Sequence, residues 1–184
     1  MDVSNMPKVV PVEEREWFVL FAICVAGKSA KQTQTKLNQY LGNVPLSPFE
    51  IAQVDIKCEW LGSSLRDCKI GQYSRIEKAF REVIKLDVTK DLTVEKLEAI
   101  PGIGPKTARF IVLYTDPDAQ CVPLDTHILK YLAKHYPGAK VPKSTPAAGR
   151  KYRELELLFQ ESAKAQGKSV RQLDTEVWQS YAKQ

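Results

Sequence analysis

Two residues in this sequence have the type and setting to do chemistry together, Lys106 and Asp125. Lys106 lies in Pro101-Gly102-Ile103-Gly104-Pro105-Lys106-Thr107-Ala108, ahead of a mostly apolar run to Tyr114. Pro101 and the two glycines break a helix, because proline lacks an amide and glycine permits positive φ. Pro105 restarts one at the position where a missing N–H costs nothing. The amides of Gly102, Gly104, Lys106 and Thr107 then point out of a helix N-terminus with no helical partner. Such a nest draws anions, and a turn without side chains lets a phosphate come close. The candidate phosphate contacts are therefore Gly102, Ile103, Gly104 and Thr107, with His127 as a further one. Lys106 sits at the helix end whose dipole disfavours a positive charge, and an amine must be neutral to attack. Asp125, in Leu124-Asp125-Thr126-His127, opens a further helix from an N-cap position. Each residue has a plainer use: Lys106 as the phosphate-binding end of a passive binder, Asp125 as a cap worth about 1 kcal/mol. Together they favour a nucleophilic amine served by a carboxylate.

The elements that must hold these residues read as helices. Thr93 to Ala99 has apolar residues at helical spacing and Thr93 to cap it, so the lysine motif is two short helices joined by a Gly-rich hairpin. Upstream, helices are expected over 13–26, 33–41, 48–60 and 72–86. Ser47 with Glu50 three residues on makes a capping box, and Gly62 is expected to end the third segment. Downstream, 147–164 and 169–181 read as helices, and Tyr136-Pro137-Gly138 ends the one that Asp125 starts. The basic opening Arg150-Lys151-Tyr152-Arg153 reads as a solvated helix surface, with a phosphate-contacting face as the alternative. Residues 1–12, with Pro7 and Pro11, read as irregular. Alternating apolar and polar positions never persist, so strands are not expected and the fold class is all-α.

Bulk properties set wider limits. The 184 residues can bury a core as one unit or as two small lobes. Hydrophobic and charged shares of 43% and 27% are ordinary for a globular chain. No apolar run reaches the ~20 residues of a membrane span, and the longest, Trp17 to Ala26, reads as a buried helix. A net charge of +5 and a pI of about 8.9 are compatible with DNA, but Lys and Arg are scattered rather than blocked. Cys24, Cys58, Cys68 and Cys121 include no C-x-x-C pair. They read as buried free thiols in a reducing cytosol, not as zinc ligands or disulfides.

The run PGIGPKTA followed by LDTHI resembles the hairpin and helix start of the helix-hairpin-helix DNA glycosylase superfamily, most closely its endonuclease III branch. Ile70-Gly71-Gln72-Tyr73 looks like the I-G-L-Y segment of that branch. Leu173-Asp174 and Trp178 look like its last helix before a cluster loop. The resemblance covers most of 17–180 and is strong over 97–129. It implies two lobes with a cleft between them, a helical bundle over 12–118 carrying the hairpin, and 119–184 with 1–11 carrying Asp125. It also implies a bifunctional DNA glycosylase/AP lyase of base excision repair. Asp125 would stabilise the oxocarbenium-like sugar, and Lys106 would attack C1′, expel the base and form a Schiff base. β-Elimination would then nick the strand. The implied partner is double-stranded DNA with a damaged base or abasic site, its nucleotide extruded, bound by a monomer in the cytoplasm at the nucleoid or in a nucleus.

Further expectations follow from the same resemblance. The corner where relatives fill the gap left by the flipped base falls on Lys28 and Ser29. Many endonuclease III relatives end in four clustered cysteines that hold an iron–sulfur cluster. Here no cysteine follows Cys121, so neither that cluster nor another cofactor is expected. Likeness to endonuclease III implies an oxidised pyrimidine as substrate, while Ala119 to Asp125 (AQCVPLD) also resembles the approach to the aspartate in 8-oxoguanine glycosylases. A non-catalytic hairpin module, or a relative acting in DNA base modification, remains the alternative.

Overall fold

In the computed structural model, which describes residues 11–181, every residue from Phe18 to Cys24 is buried. They belong to α1 (Val12–Val25), whose apolar side chains surround the helix rather than forming one stripe. That is the composition of a helix enclosed by others. α2 (Ala30–Leu41), α3 (Pro48–Lys57) and α5 (Tyr73–Val83) pack on it. The buried carboxylate of α1, Glu16, accepts the N–H of Phe49 at 3.0 Å in the first turn of α3. There the amides have no helical partner and the dipole favours an anion. α3 begins on the expected capping box, with Glu50 N–H donating to Ser47 Oγ at 3.2 Å and Ser47 N–H to Glu50 Oε2 at 2.7 Å.

The third segment departs from expectation. α3 stops at Lys57, Glu59 takes a φ of 60°, and Trp60 N–H reaches back to Asp55 O at 2.8 Å. A left-handed residue after a helix is most often glycine, so Glu59 gave no warning of this end. A separate short helix, α4 (Leu61–Asp67), follows, and it contains Gly62, the residue expected to close the segment. Leu61 and Leu65, fully buried and one turn apart, hold α4 in place. Burying each is worth about 1.5–3 kcal/mol, more than the ~1 kcal/mol cost of a helical glycine. α6 (Val94–Glu98) is capped as expected, Lys96 N–H donating to Thr93 Oγ1 at 3.3 Å, and α7 (Pro105–Thr115) starts on Pro105.

Among the described residues one compact unit extends to Thr107 and another begins at Ala108. The change falls inside α7, ahead of the expected boundary at 118. Of residues 1–12, read as irregular, Val12 already opens α1; the reading of 1–10, and their assignment to the second lobe, lies outside the described residues. The unit from Ala108 contains the rest of α7, α8 (Thr126–His135), a 3-10 turn (Pro137–Ala139), α9 (Arg150–Ala165) and α10 (Val170–Tyr181). α10 packs on α8 and α9 around Leu129, Leu132, Leu155, Phe159, Leu173 and Val177. Two buried phenols are partnered, Tyr114 donating to Asp174 Oδ2 at 2.7 Å and Tyr131 hydrogen-bonded to Ser162 Oγ at 2.6 Å.

The basic opening of α9 is not one solvated face. Tyr152 is fully buried, Arg150 pairs with Glu154, and Lys151 Nζ donates to Ala139 O at 2.9 Å. The four cysteines are free thiols, but only Cys24 is buried; Cys58, at the end of α3, is exposed, and Cys68 and Cys121 are half-buried. Burial pushes the Cys24 thiol up to about 12, as it does Cys121. Among the described residues there is no strand, and no helix is long and apolar enough to cross a membrane. The all-α expectation holds.

Candidate active site

The hairpin between α6 and α7 is fixed from inside. Ile103 is buried, and its N–H closes the turn on Ile100 O at 3.0 Å. Gly102 has a φ of +97°, and a Cβ there would lie 2.6 Å from Arg75 O, so only glycine fits. The carbonyl of Gly102 accepts from Arg75 Nη1 at 2.8 Å. The same guanidinium donates through Nη2 to Ile23 O at 2.6 Å and through Nε to Gln72 Oε1 at 2.8 Å. Arg75 thus joins the hairpin to the last turn of α1, where carbonyls lack helical donors, and to the start of α5. Sequence reasoning missed it, because an arginine in the first turn of a helix reads as solvated.

The outer edge of the hairpin is open. A Cβ built on Gly104 meets nothing within 4 Å. The first amides of α7 have no carbonyl a turn earlier to reach, as expected of a helix start. Thr107 and Ile103 turn their side chains inward, with 7% and 4% exposure, so either meets a ligand through backbone alone. Lys106, half-buried, is the second residue of α7. Of the two corner residues, Ser29 is exposed at the start of α2, its hydroxyl making no cap bond. Lys28 is engaged: Nζ donates to Ile70 O at 2.8 Å and to Gly71 O at 3.2 Å. Burial holds its pKa below the usual lysine value.

In the other unit, Asp125 caps α8 as its spacing predicts. Oδ1 accepts the N–H groups of His127 at 2.8 Å and Ile128 at 2.9 Å. Both cap bonds fall on one oxygen, and Oδ2 makes no hydrogen bond among the described residues. A carboxylate anchored through one oxygen, with the other available, is a fixed anion that can stabilise developing positive charge or take a proton. His127 stands beside it, half-buried. Its Nδ1 is sequestered without a hydrogen-bond partner among the described residues, and its ring lies edge-on to Trp178 at 6.5 Å and tilted on Tyr181 at 6.3 Å. Trp178 itself is 50% exposed. Among the described residues no three His, Cys, Asp or Glu side chains gather as a metal-binding group.

No family model matches the chain. Over 155 residues it is 26% identical to endonuclease III homolog 2, chloroplastic, of Arabidopsis thaliana. That match takes in 77% of this chain, which spans only 38% of the relative's length. Two solved structures share its fold. One is the 8-oxoguanine DNA glycosylase of Methanocaldococcus jannaschii, with a TM-score of 0.68 and 21% identity over 90% of this chain and 77% of that one. The other is an 8-oxoguanine glycosylase/lyase of the same organism in complex with 15mer DNA containing 8-oxoguanine, with a TM-score of 0.71 and 19% identity over 94% of this chain and 82% of that one. The chain is thus similar in sequence to an endonuclease III homolog and shares the all-helical fold of these 8-oxoguanine DNA glycosylase structures.

Proposed function

We propose that the protein is a bifunctional DNA glycosylase/AP lyase that excises an oxidised base and nicks the strand through a lysine Schiff base. The observation that carries this reading is the pair itself: an amine in the first turn of α7, beside an open glycine hairpin, and a carboxylate on α8 with one oxygen unengaged. A passive DNA binder needs the hairpin but not both of these. The deciding experiment is borohydride trapping on a duplex with one abasic site. A covalent protein–DNA complex is expected, and its absence together with absence of nicking refutes the lyase reading.

The partner in this reading is double-stranded DNA with a damaged base or an abasic site, bound by a monomer. Two lesions are supported. The resemblance of the hairpin and helix start to the endonuclease III branch favours an oxidised pyrimidine. The structural neighbours named for 8-oxoguanine, with the run from Ala119 to Asp125, favour 8-oxoguanine. Single-lesion duplexes assayed in parallel decide between them. Ser29, exposed on its corner, is the residue proposed to enter the gap left by the extruded nucleotide.

The hairpin amides in this reading hold one or two backbone phosphates. Gly104→Val places its side chain in open space, so folding is expected to be unchanged by circular dichroism. Binding to damaged and undamaged duplexes should weaken alike, by about tenfold, because phosphates carry no sequence information. Fluorescence anisotropy across a salt series measures this, with a slope reflecting only a few phosphates. A folded variant that binds as tightly as the unmodified protein makes the hairpin merely a turn. The proposed enzyme works without an iron–sulfur cluster, its cysteines being dispersed with only Cys24 buried. Purified protein should be colourless, and stoichiometric iron on metal analysis would refute this.

A further inference from the structure

The segment that leads into Asp125 has no secondary structure of its own, yet its backbone is held by side chains from one face of α9. Gln160 Nε2 donates to Gln120 O at 2.7 Å, and Glu156 Oε1 accepts the N–H of Val122 at 2.8 Å. Tyr152 completes the series: its hydroxyl donates to Val122 O at 2.9 Å and accepts the N–H of Leu124 at 3.0 Å. Leu124 N–H also reaches Val122 O at 3.0 Å, forming a γ-turn centred on Pro123, so the phenol oxygen sits across that turn. Residues 152, 156 and 160 follow one helical face, and four helical residues advance about 6 Å, close to the roughly 6.6 Å of two extended residues. The helix and the segment are therefore in register.

The ladder is rigid in turn. Glu156 pairs with Arg109 at 3.0 Å, both side chains nearly buried, and the Arg109 guanidinium lies 4.2 Å over the Tyr152 ring. Thr145 Oγ1 donates to Leu124 O at 2.7 Å, so both backbone groups of the residue before Asp125 are held. Tyr152 has 0% exposure, and burial raises its pKa above the usual phenol range, which keeps the hydroxyl proton that Val122 O accepts.

We infer that Tyr152 is a positioning residue for Asp125: its hydroxyl fixes the turn at Pro123 and with it the point from which the Asp125 carboxylate is presented at the start of α8. This rests on the reading of Asp125 as the catalytic carboxylate. Reacting groups tolerate little displacement, an error near 1 Å costing up to about 10²-fold. Tyr152→Phe removes one oxygen and leaves the ring under Arg109. It is expected to lower single-turnover base excision by about tenfold with duplex affinity unchanged.

Loss of stability alone could slow any enzyme, so Tyr131→Phe is the control. It removes another buried hydroxyl of the same unit, bonded to Ser162 and Gln166 and making no bond to the segment that leads into Asp125. Both variants should lose a few degrees of Tm, but only Tyr152→Phe should lose rate. Amide exchange in the DNA-free protein supplies a readout independent of activity. The amides of His127 and Ile128, held by Asp125 Oδ1, should exchange about tenfold faster in Tyr152→Phe and at the original rate in Tyr131→Phe. Unchanged exchange at both amides overturns the inference, whether or not the protein excises bases. If no lesion is processed at all, the functional reading fails, and exchange alone decides whether Tyr152 positions Asp125. Equal rate losses in the two variants also overturn it. Should Tyr152→Phe not fold, Thr145→Ala releases Leu124 O instead and is expected to speed exchange at the same two amides; no change there overturns the inference equally.

Discussion

Lys106→Gln is expected to abolish the borohydride-trapped complex and strand nicking on an abasic-site duplex, a loss of about 10³-fold or more. The residue is the second of α7 and half-buried, and glutamine keeps its length and helical preference. Folding should change by no more than about 0.5 kcal/mol, as for most substitutions outside a core. The bond from Arg75 to Gly102 O and the turn closed by Ile103 N–H on Ile100 O are untouched, so the hairpin amides stay in place and duplex binding should fall only a few-fold. Trapping, nicking and anisotropy on one preparation separate the outcomes. A variant that still forms the covalent adduct places the nucleophile on another amine. A variant that loses binding and chemistry in equal measure returns Lys106 to the role of a phosphate contact.

Asp125→Asn should fold and bind yet excise its base more slowly by about 10²-fold or more, since charge stabilisation and proton transfer each supply effects of that order. Asparagine retains an oxygen to accept the His127 and Ile128 amides, which both bond to Oδ1. The stability lost is then the interaction of one charge with a helix terminus, about 0.3–1 kcal/mol. Asp125→Ala, which removes the cap as well, should cost a further ~1 kcal/mol. Thermal melts of the pair isolate the cap, and single-turnover excision by the asparagine variant isolates the charge. An asparagine variant within a few-fold of the unmodified protein would reduce Asp125 to a cap.

What could be read from the sequence is what local backbone chemistry decides. Pro105 starts α7, Thr93 and Asp125 cap their helices, and Ser47 with Glu50 closes a capping box, because each depends on partners within three residues. Features set by distant partners were hidden. Leu61 and Leu65 carry α4 past Gly62 through burial that no local rule weighs. Lys28 and Arg75 bind carbonyls 42 and 52 residues away, where a sequence offers only a solvated lysine and arginine. Tyr152 stood out only as part of a basic run, yet its hydroxyl spans 28 and 30 residues to hold the approach to Asp125. Local rules thus place the candidate chemistry, and long-range contacts supply its support.

The enclosure of α1 from Phe18 to Cys24 also bears on how the chain is made. Its apolar stretch from Phe18 to Cys24 leaves the ribosome before the helices that enclose it, and α5, the last of those, is complete only at Val83. At roughly 5–20 residues per second, several seconds pass in which this stretch has no native surface to cover it. An isolated helix of this length is marginal in water, so the nascent segment neither folds alone nor hides its side chains. During translation α1 is thus a ready binding site for a chaperone, and variants that weaken α2, α3 or α5 would reduce the yield of folded protein before they touched its activity.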